Sequence, residues 1–439
     1  VPKHQKYVII LKSNKKTIKI AKLMEKYKIM GGNPLSGEIQ VSGAKNAALK
    51  ILAASILSKE TIKITNVPQI EDIKRLVEIL ENIGAKVTWR DSSMEIETVG
   101  INNPNPDPNL TAKLRASIML AGPLLARLGE VTMSHPGGCI IGKRPIDMFL
   151  SGFRAMGAEI IDKGDSFTIK ASKLRGTKII LPKISVTVTE SLMMTACLAE
   201  GTTKIINTAM EPEIPALAEY LNKCGAKISG AGTPEITIEG VEKLSADTYD
   251  LVPDRIEAGS FIIMGLATNS ELKVKGCNPE HLEVVLDTLK KSGANLEIGD
   301  DYVITKKSNL KGTEIQTHEY PGFPTDLQAP FTVLMTQAEG QSLIHEIIFD
   351  GRLFYTDKLN LMGANIIMCD PHRVIVNGKT SLFGRRLESP DLRAGMGLII
   401  AGLLAEGETI IDNIYQIERG YENIVSRLNS IGAKIEKIN

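Results

Sequence analysis

At 439 residues, 43% hydrophobic and 23% charged, the chain is long enough for two or three domains and apolar enough to bury a large core. Its 52 Lys and Arg stand against 51 Asp and Glu, leaving no global field to draw nucleic acid or an anionic membrane, so small molecules held by local charge clusters are the expected partners. Five cysteines without a C-x-x-C spacing suit a reducing cytoplasm, and six scattered histidines without an H-x-x-x-H pair lead us to assign no metal and no cofactor.

Residues 1–23 carry seven lysines and no acid, and their longest apolar run, Tyr7 to Leu11, is too short for a signal sequence or a membrane span. A disordered or processed extension is expected there, with the globular pattern starting at Met24. From that point a helical run ending in Gly-Ala and a short strand recurs six times. The copies are Ile83-Gly-Ala-Lys-Val87, Met156-Gly-Ala-Glu-Ile160, Cys224-Gly-Ala-Lys-Ile228, Ser292-Gly-Ala-Asn-Leu296, Met362-Gly-Ala-Asn-Ile366 and Ile431-Gly-Ala-Lys-Ile435. Their glycines lie 73, 68, 68, 70 and 69 residues apart, and each is expected just past a helix C-terminus.

Between these marks a helix, a polar turn and a strand recur, as around Ala199-Glu-Gly201 and Ala405-Glu-Gly407. A unit of about 70 residues is too small for a good core alone. Three α/β units in each of two domains are therefore expected, with a boundary near Leu251-Val-Pro-Asp254 and a ligand cleft between the domains. The first helix of each unit is expected to begin just after Ala44-Lys-Asn46, Lys113-Leu-Arg115, Ile184-Ser-Val186, Pro253-Asp-Arg255, Pro324-Thr-Asp326 and Pro390-Asp-Leu-Arg393. A ring of helix starts facing one cavity would bind anions. Ser185, Asp254, Thr325 and Asp391 are equally good N-cap types, whereas Lys45, Arg115 and Arg393 oppose the helix dipole and need another reason.

One loop stands apart. Pro136-Gly-Gly-Cys-Ile-Ile-Gly-Lys-Arg-Pro145 sets a thiol beside two cations on a stretch that its prolines and glycines keep from being a regular helix or a central strand. Lys143 and Arg144 favour the thiolate of Cys139, which makes it a candidate nucleophile or acid; a buried cysteine in a turn is the plainer reading. The G-x-x-x-x-G-K spacing from Gly137 to Lys143 imitates a phosphate-binding P-loop, but Arg144 stands where Ser or Thr would hold magnesium.

Ser42-Gly-Ala-Lys-Asn-Ala-Ala-Leu49, Leu114-Arg-Ala-Ser117, the 136–145 loop, Phe323-Pro-Thr-Asp326, Asp391-Leu-Arg393 and Arg419-Gly-Tyr421 occur in that order. Together they resemble the enolpyruvyl transferases, and among them the UDP-N-acetylglucosamine 1-carboxyvinyltransferases, over about residues 24–439. The resemblance implies two inside-out α/β barrel domains, each of three βαβαββ repeats, at 45–252 and at 24–44 plus 253–439. It implies a cytoplasmic enzyme that joins phosphoenolpyruvate to the 3-hydroxyl of UDP-N-acetylglucosamine and releases phosphate. That would be the first committed step of peptidoglycan precursor synthesis, serving cell-wall growth, shape and division, and it would be a target of fosfomycin. The resemblance leaves the oligomeric state open.

Roles carry over residue by residue. Cys139 matches the acid that protonates C3, and Asp326 matches the base and sugar-binding aspartate, where a helix cap is the plainer reading. Lys45, Arg144 and Arg419 match the phosphate side of phosphoenolpyruvate, Lys45 and Arg419 also as catalytic groups. Arg352 and Arg393 match its carboxylate side. Asn46, which also borders phosphoenolpyruvate, Asp326 and Ile348 match sugar contacts. Arg115, Arg144, Pro145, Ile146, Asp147 and Met148 match the uridine-diphosphate loop, and Lys183, Ser185, Val186 and Thr187 a diphosphate-binding helix start. Thr187, Asp350 and Phe149 depart from the usual glycine, glutamate and histidine. Two rivals remain: the sister transferase acting on shikimate 3-phosphate, which lacks the Cys139 loop, and a silent UDP-sugar-binding paralogue, against which the full set of charged groups argues.

Overall fold

A helix that is apolar on every face cannot sit on a surface. Several segments here are of that kind: after a polar start, Arg255–Ala267, Gln328–Met335 and Leu392–Leu404 bury nearly every side chain, as do Lys45–Ala54 and Val186–Ala196. In the computed structural model, which describes the backbone of residues 7–9 and 20–22 and the whole of 25–134 and 146–439, these helices fill the interior and the sheets lie around them. The strands alternate accordingly. In Thr61–Thr65, Ile62 and Ile64 point inward while Thr61 and Lys63 face solvent.

Five four-stranded sheets share one topology, a parallel step followed by two antiparallel steps. A three-stranded sheet of Glu130–Ser134, Ser166–Lys170 and Glu159–Asp162 has the two antiparallel steps. Among the described residues none of these sheets closes on itself. The α/β class that the resemblance implies is thus present, with helices in the interior and each sheet ending at an edge. In the segment read as a disordered or processed extension, Tyr7–Ile9 and Ile20–Lys22 form an antiparallel pair.

Buried side chains form two clusters, one drawn from Ala44 to Leu251, the other from Tyr27 to Val41 together with Ile256 to Ile435. The early strands explain the split. Lys26–Met30 lies between Glu408–Asp412 and Lys434–Ile438, and Ser36–Gln40 pairs parallel with Glu271–Lys275, so the chain starts in the second core and crosses to the first at Ser42–Lys45. It crosses back at Asp250–Arg255. Thr248–Asp250 still pairs with Thr61–Thr65 of the first core, and Arg255 opens a helix of the second.

All six Gly-Ala glycines have positive φ, from +90° to +110°, as expected of residues that close helix C-termini. Gly225 has open space around a would-be Cβ, whereas at Gly84 that atom would meet the Gly100 carbonyl oxygen. Gly225→Ala is therefore expected to cost about 1–2 kcal/mol of backbone strain, and Gly84→Ala more, because a backbone carbonyl must also move. Urea unfolding midpoints of the two variants check the order.

Candidate active site

The two cores meet where polar helix starts face each other. Lys45 is the first residue of the Lys45–Ala54 helix, and its buried ammonium lies 3.2 Å from Oδ2 of Asp72. Asp72 comes from the first turn of the Glu71–Asn82 helix. Its Oδ1 accepts from Nε of Arg419 at 2.8 Å, so one buried carboxylate of the first core holds a cation from each core. Burial works to raise the Asp72 carboxyl, but Lys45 and Arg419 outweigh it and hold the group below the usual range. Burial pulls the Lys45 ammonium down, and the Arg393 and Arg419 charges add to this against the pull of Asp72.

A second carboxylate is shared in the same way. Asp326 Oδ1 accepts from Arg352 Nη2 at 2.8 Å, and its Oδ2 accepts from Arg393 Nε at 2.9 Å. The surrounding protein works to raise its pKa. Arg393, Arg352 and Lys45 overcome that and hold it far below the ordinary range. Both arginines are braced: Arg352 also donates to the Thr325 hydroxyl at 2.9 Å, which donates to buried Glu346 at 2.6 Å, and Arg393 Nη1 lies 3.4 Å from the Tyr421 hydroxyl. Glu346 further accepts from the backbone of Ile348 and Phe349, which sets the loop after the Gly340–His345 strand.

The plainer capping readings divide. Asp391 caps its helix through Arg393 N and Ala394 N. Asp254 caps with Oδ1 to Ile256 N and Glu257 N, while its Oδ2 accepts from Lys45 N at 3.1 Å and ties the two helix starts together. Thr325 does not cap, since its hydroxyl serves Glu346, and Ser185 precedes the Val186–Ala196 helix without a side-chain cap bond. Asp326 does not cap either, because both its oxygens are taken by arginines. A cation at a helix start is accounted for where a carboxylate from another element faces it, as Asp72 faces Lys45 and Asp326 faces Arg393.

Of the residues expected from sequence, Lys45, Asp326, Arg352, Arg393 and Arg419 come together, with half-buried Asn46 beside Lys45 and Ile348 on the Glu346 loop. Arg115 opens the 3-10 turn Arg115–Leu120. Ile146 precedes the Asp147–Ala155 helix that carries Met148, and Lys183, Ser185, Val186 and Thr187 lie at the start of the Val186–Ala196 helix. Among the described residues no hydrogen bond or ion pair links Ile146–Met148 or Lys183–Thr187 to the two carboxylates. Cys139, Arg144 and Pro145 lie outside the described residues. Of the three departures, Phe149 is buried in the first core, Asp350 is exposed and Thr187 is half-buried.

Asp72 and Glu346 were not singled out from sequence. Asp72 had a signal: four residues before Leu76 and seven before Ile79, it falls on the apolar stripe of its helix, where an acid needs a buried partner. Among the described residues no three His, Cys, Asp or Glu side chains gather in a way that could hold a metal ion, and no helix is long and apolar enough to cross a membrane.

The family model for EPSP synthase (3-phosphoshikimate 1-carboxyvinyltransferase) matches residues 29–428, and the chain belongs to this carboxyvinyltransferase family. Its curated relatives narrow the class. It is 44% identical, over 94% of its length and 97% of the relative's, to the UDP-N-acetylglucosamine 1-carboxyvinyltransferase of Koribacter versatilis. It is 42% identical, over 94% of its length and 100% of the relative's, to that of Desulfosudis oleivorans. The fold is shared with the enolpyruvyl transferase NikO from Streptomyces tendae (TM-score 0.86, 24% identity, 94% and 99% of the two chains). It is also shared with EPSP synthase from Acinetobacter baumannii (TM-score 0.71, 21% identity, 94% and 100%).

Asp72→Asn removes the charge that holds Lys45 and Arg419 together, and a cost of about 3 kcal/mol is expected for breaking a buried pair from one side. The folded-state pKa of Asp72 is depressed, so its contribution is present above its unfolded value and lost as pH falls through its folded one. Denaturant midpoints measured from pH 7 down to pH 3 should therefore fall less steeply in the variant than in the wild type.

Proposed function

We propose that the chain transfers the enolpyruvyl group of phosphoenolpyruvate to the 3-hydroxyl of UDP-N-acetylglucosamine and releases phosphate, as a cytoplasmic enzyme opening peptidoglycan precursor synthesis. The observation that carries this reading is the gathering of Lys45, Arg352, Arg393 and Arg419 around two carboxylates at the meeting of the cores. The names of the 44% and 42% identical relatives point to the acceptor. Two domains, 45–252 and 24–44 plus 253–439, each an inside-out barrel of three βαβαββ repeats, account for the two core clusters and the shared sheet topology.

Phosphoenolpyruvate brings a phosphate and a carboxylate, and each anion has a place. In this reading Lys45, Arg419 and Arg144 receive the phosphate, while Arg352 and Arg393 receive the carboxylate. Arg115, Arg144 to Met148 and the Lys183–Thr187 helix start receive the uridine diphosphate, and Asn46, Asp326 and Ile348 receive the sugar. With both oxygens engaged by arginines, Asp326 is a weak base. A substrate carboxylate competing for Arg352 and Arg393 releases it, raises its basicity and so couples base strength to occupancy.

The freed carboxylate takes the proton of the 3-hydroxyl as that oxygen bonds to C2, and Cys139 delivers a proton to C3. Loss of a C3 proton and cleavage of the C2–O bond to phosphate then regenerate the double bond. Lys45 and Arg419 oppose the charge that builds on the departing phosphate.

Phosphate release in the presence of phosphoenolpyruvate is expected with UDP-N-acetylglucosamine and not with shikimate 3-phosphate. Saturable UDP-sugar binding without turnover would instead point to a silent paralogue. Asp326→Asn should lose about 10²- to 10⁴-fold in turnover yet still bind the UDP-sugar, as titration calorimetry would show; near-normal turnover would remove Asp326 from the role of base.

Cys139 separates two further roles. Fosfomycin, an epoxide, should alkylate its sulfur, so Cys139→Ala should lose both labelling and turnover. Cys139→Asp keeps an acid and should turn over while escaping labelling, which intact-mass measurement reads directly. Labelling at Cys197, Cys224, Cys277 or Cys369 in its place would overturn the assignment.

A further inference from the structure

Lys45–Ala54 and Val186–Ala196 lie inside the first core, and past their starts their side chains are apolar or small, with two exceptions that face each other. Lys50 is 4% exposed and Glu190 fully buried, with Nζ 3.3 Å from Oε2. Neither Glu190 oxygen accepts a hydrogen bond of good geometry among the described residues. Burial pushes its carboxyl up, Lys50 pulls it back down, and the nearby Glu213 and Glu211 charges push it up again.

Such a pair is a poor source of stability, since replacing a buried ion pair by well-packed apolar groups is commonly neutral or favourable for folding. Its placement supplies another reason. Lys50 is five residues past Lys45, and Glu190 is four past Val186, so the bond ties the two helices about one turn beneath their starts. Both helices pack on Glu213–Lys223, and Glu213 at its start pairs with Arg255 of the second core at 3.3 Å. The pair therefore lies beside the contact between the cores.

We propose that Lys50 and Glu190 are positioning residues that fix the axial relation between the helix start holding the phosphoenolpyruvate phosphate and the helix start holding the sugar-nucleotide diphosphate. This rests on the assignment of the two starts given under the proposed function. The 3-hydroxyl and C2 belong to different substrates on different helices, and bond formation needs them about 3–3.5 Å apart. A buried ion pair that adds little to stability can be retained because it specifies one register between the elements it joins.

The test replaces the pair by apolar side chains of similar length, Lys50→Met with Glu190→Met. The expected double variant melts at or above the wild-type temperature. It binds UDP-N-acetylglucosamine and inorganic phosphate, each alone, nearly as tightly as wild type, but loses up to about 10²-fold in kcat. It also loses any strengthening of phosphate binding by the UDP-sugar. Should the double variant fail to fold, Glu190→Gln, which keeps the shape and removes the charge, is read by the same split of kcat from binding. Wild-type kcat together with wild-type mutual strengthening, in either folded variant, overturns the proposal. Lys183→Ala serves as the control for the underlying assignment. If it weakens UDP-N-acetylglucosamine binding while the apolar pair changes nothing, the positioning role alone falls. If it leaves that binding unchanged, the diphosphate assignment falls, and the role given to the pair falls with it.

Discussion

Cations gathered at one place repel one another, and in this protein two carboxylates hold them there. Asp72 keeps Lys45 and Arg419 together across the cores, and Asp326 keeps Arg352 and Arg393 apart by accepting from a different one on each oxygen. The arrangement stabilises side chains that would otherwise oppose a helix dipole or face one another unpaired. It also defines what can enter: an anion with two separated negative groups can take over both sets of donors, while a neutral ligand gains little from displacing either carboxylate.

The fold brings the donors to one place because of what fills its interior. Helices that are apolar all round pack against each other, and the sheets cover them with alternating strands. A helix buried along its length meets the surface only at its ends, so polar residues collect at the starts. Lys45, Arg255 and Arg393 occupy the first two positions of their helices for this reason. Asp254 then does double service, capping its own helix and accepting from the backbone of Lys45, while Glu213 and Arg255 add a second tie between the cores.

Polar groups deeper in the helices are harder to account for by stability. Lys50 and Glu190 pair in a core that offers them little else, one turn behind the two helix starts to which the substrates are assigned. Rigid register between those starts is worth most to a reaction whose two partners arrive on different elements, because the rate depends on their separation far more steeply than the affinity of either does.

The sequence by itself determined what is local or periodic. The spacing of six Gly-Ala marks announced repeating α/β units, and each of those glycines takes the positive φ that closes a helix. Lys45, Asp326, Arg393 and Arg419 could be named from the motifs around them and Arg352 from the family resemblance, although they span most of the chain. What only the tertiary structure decided is which charge meets which. Asp72 and Arg419 are 347 residues apart, and Asp326 and Arg393 are 67 apart, separations at which no helical or strand period operates. The same holds for the second role of Asp254, which reads from sequence as an N-cap, and for Glu346 behind Thr325 and Arg352, which nothing in the sequence singled out. Pairing across cores depends on how two separate interiors are set against each other, and that relation is carried by packing rather than by any pattern along the chain.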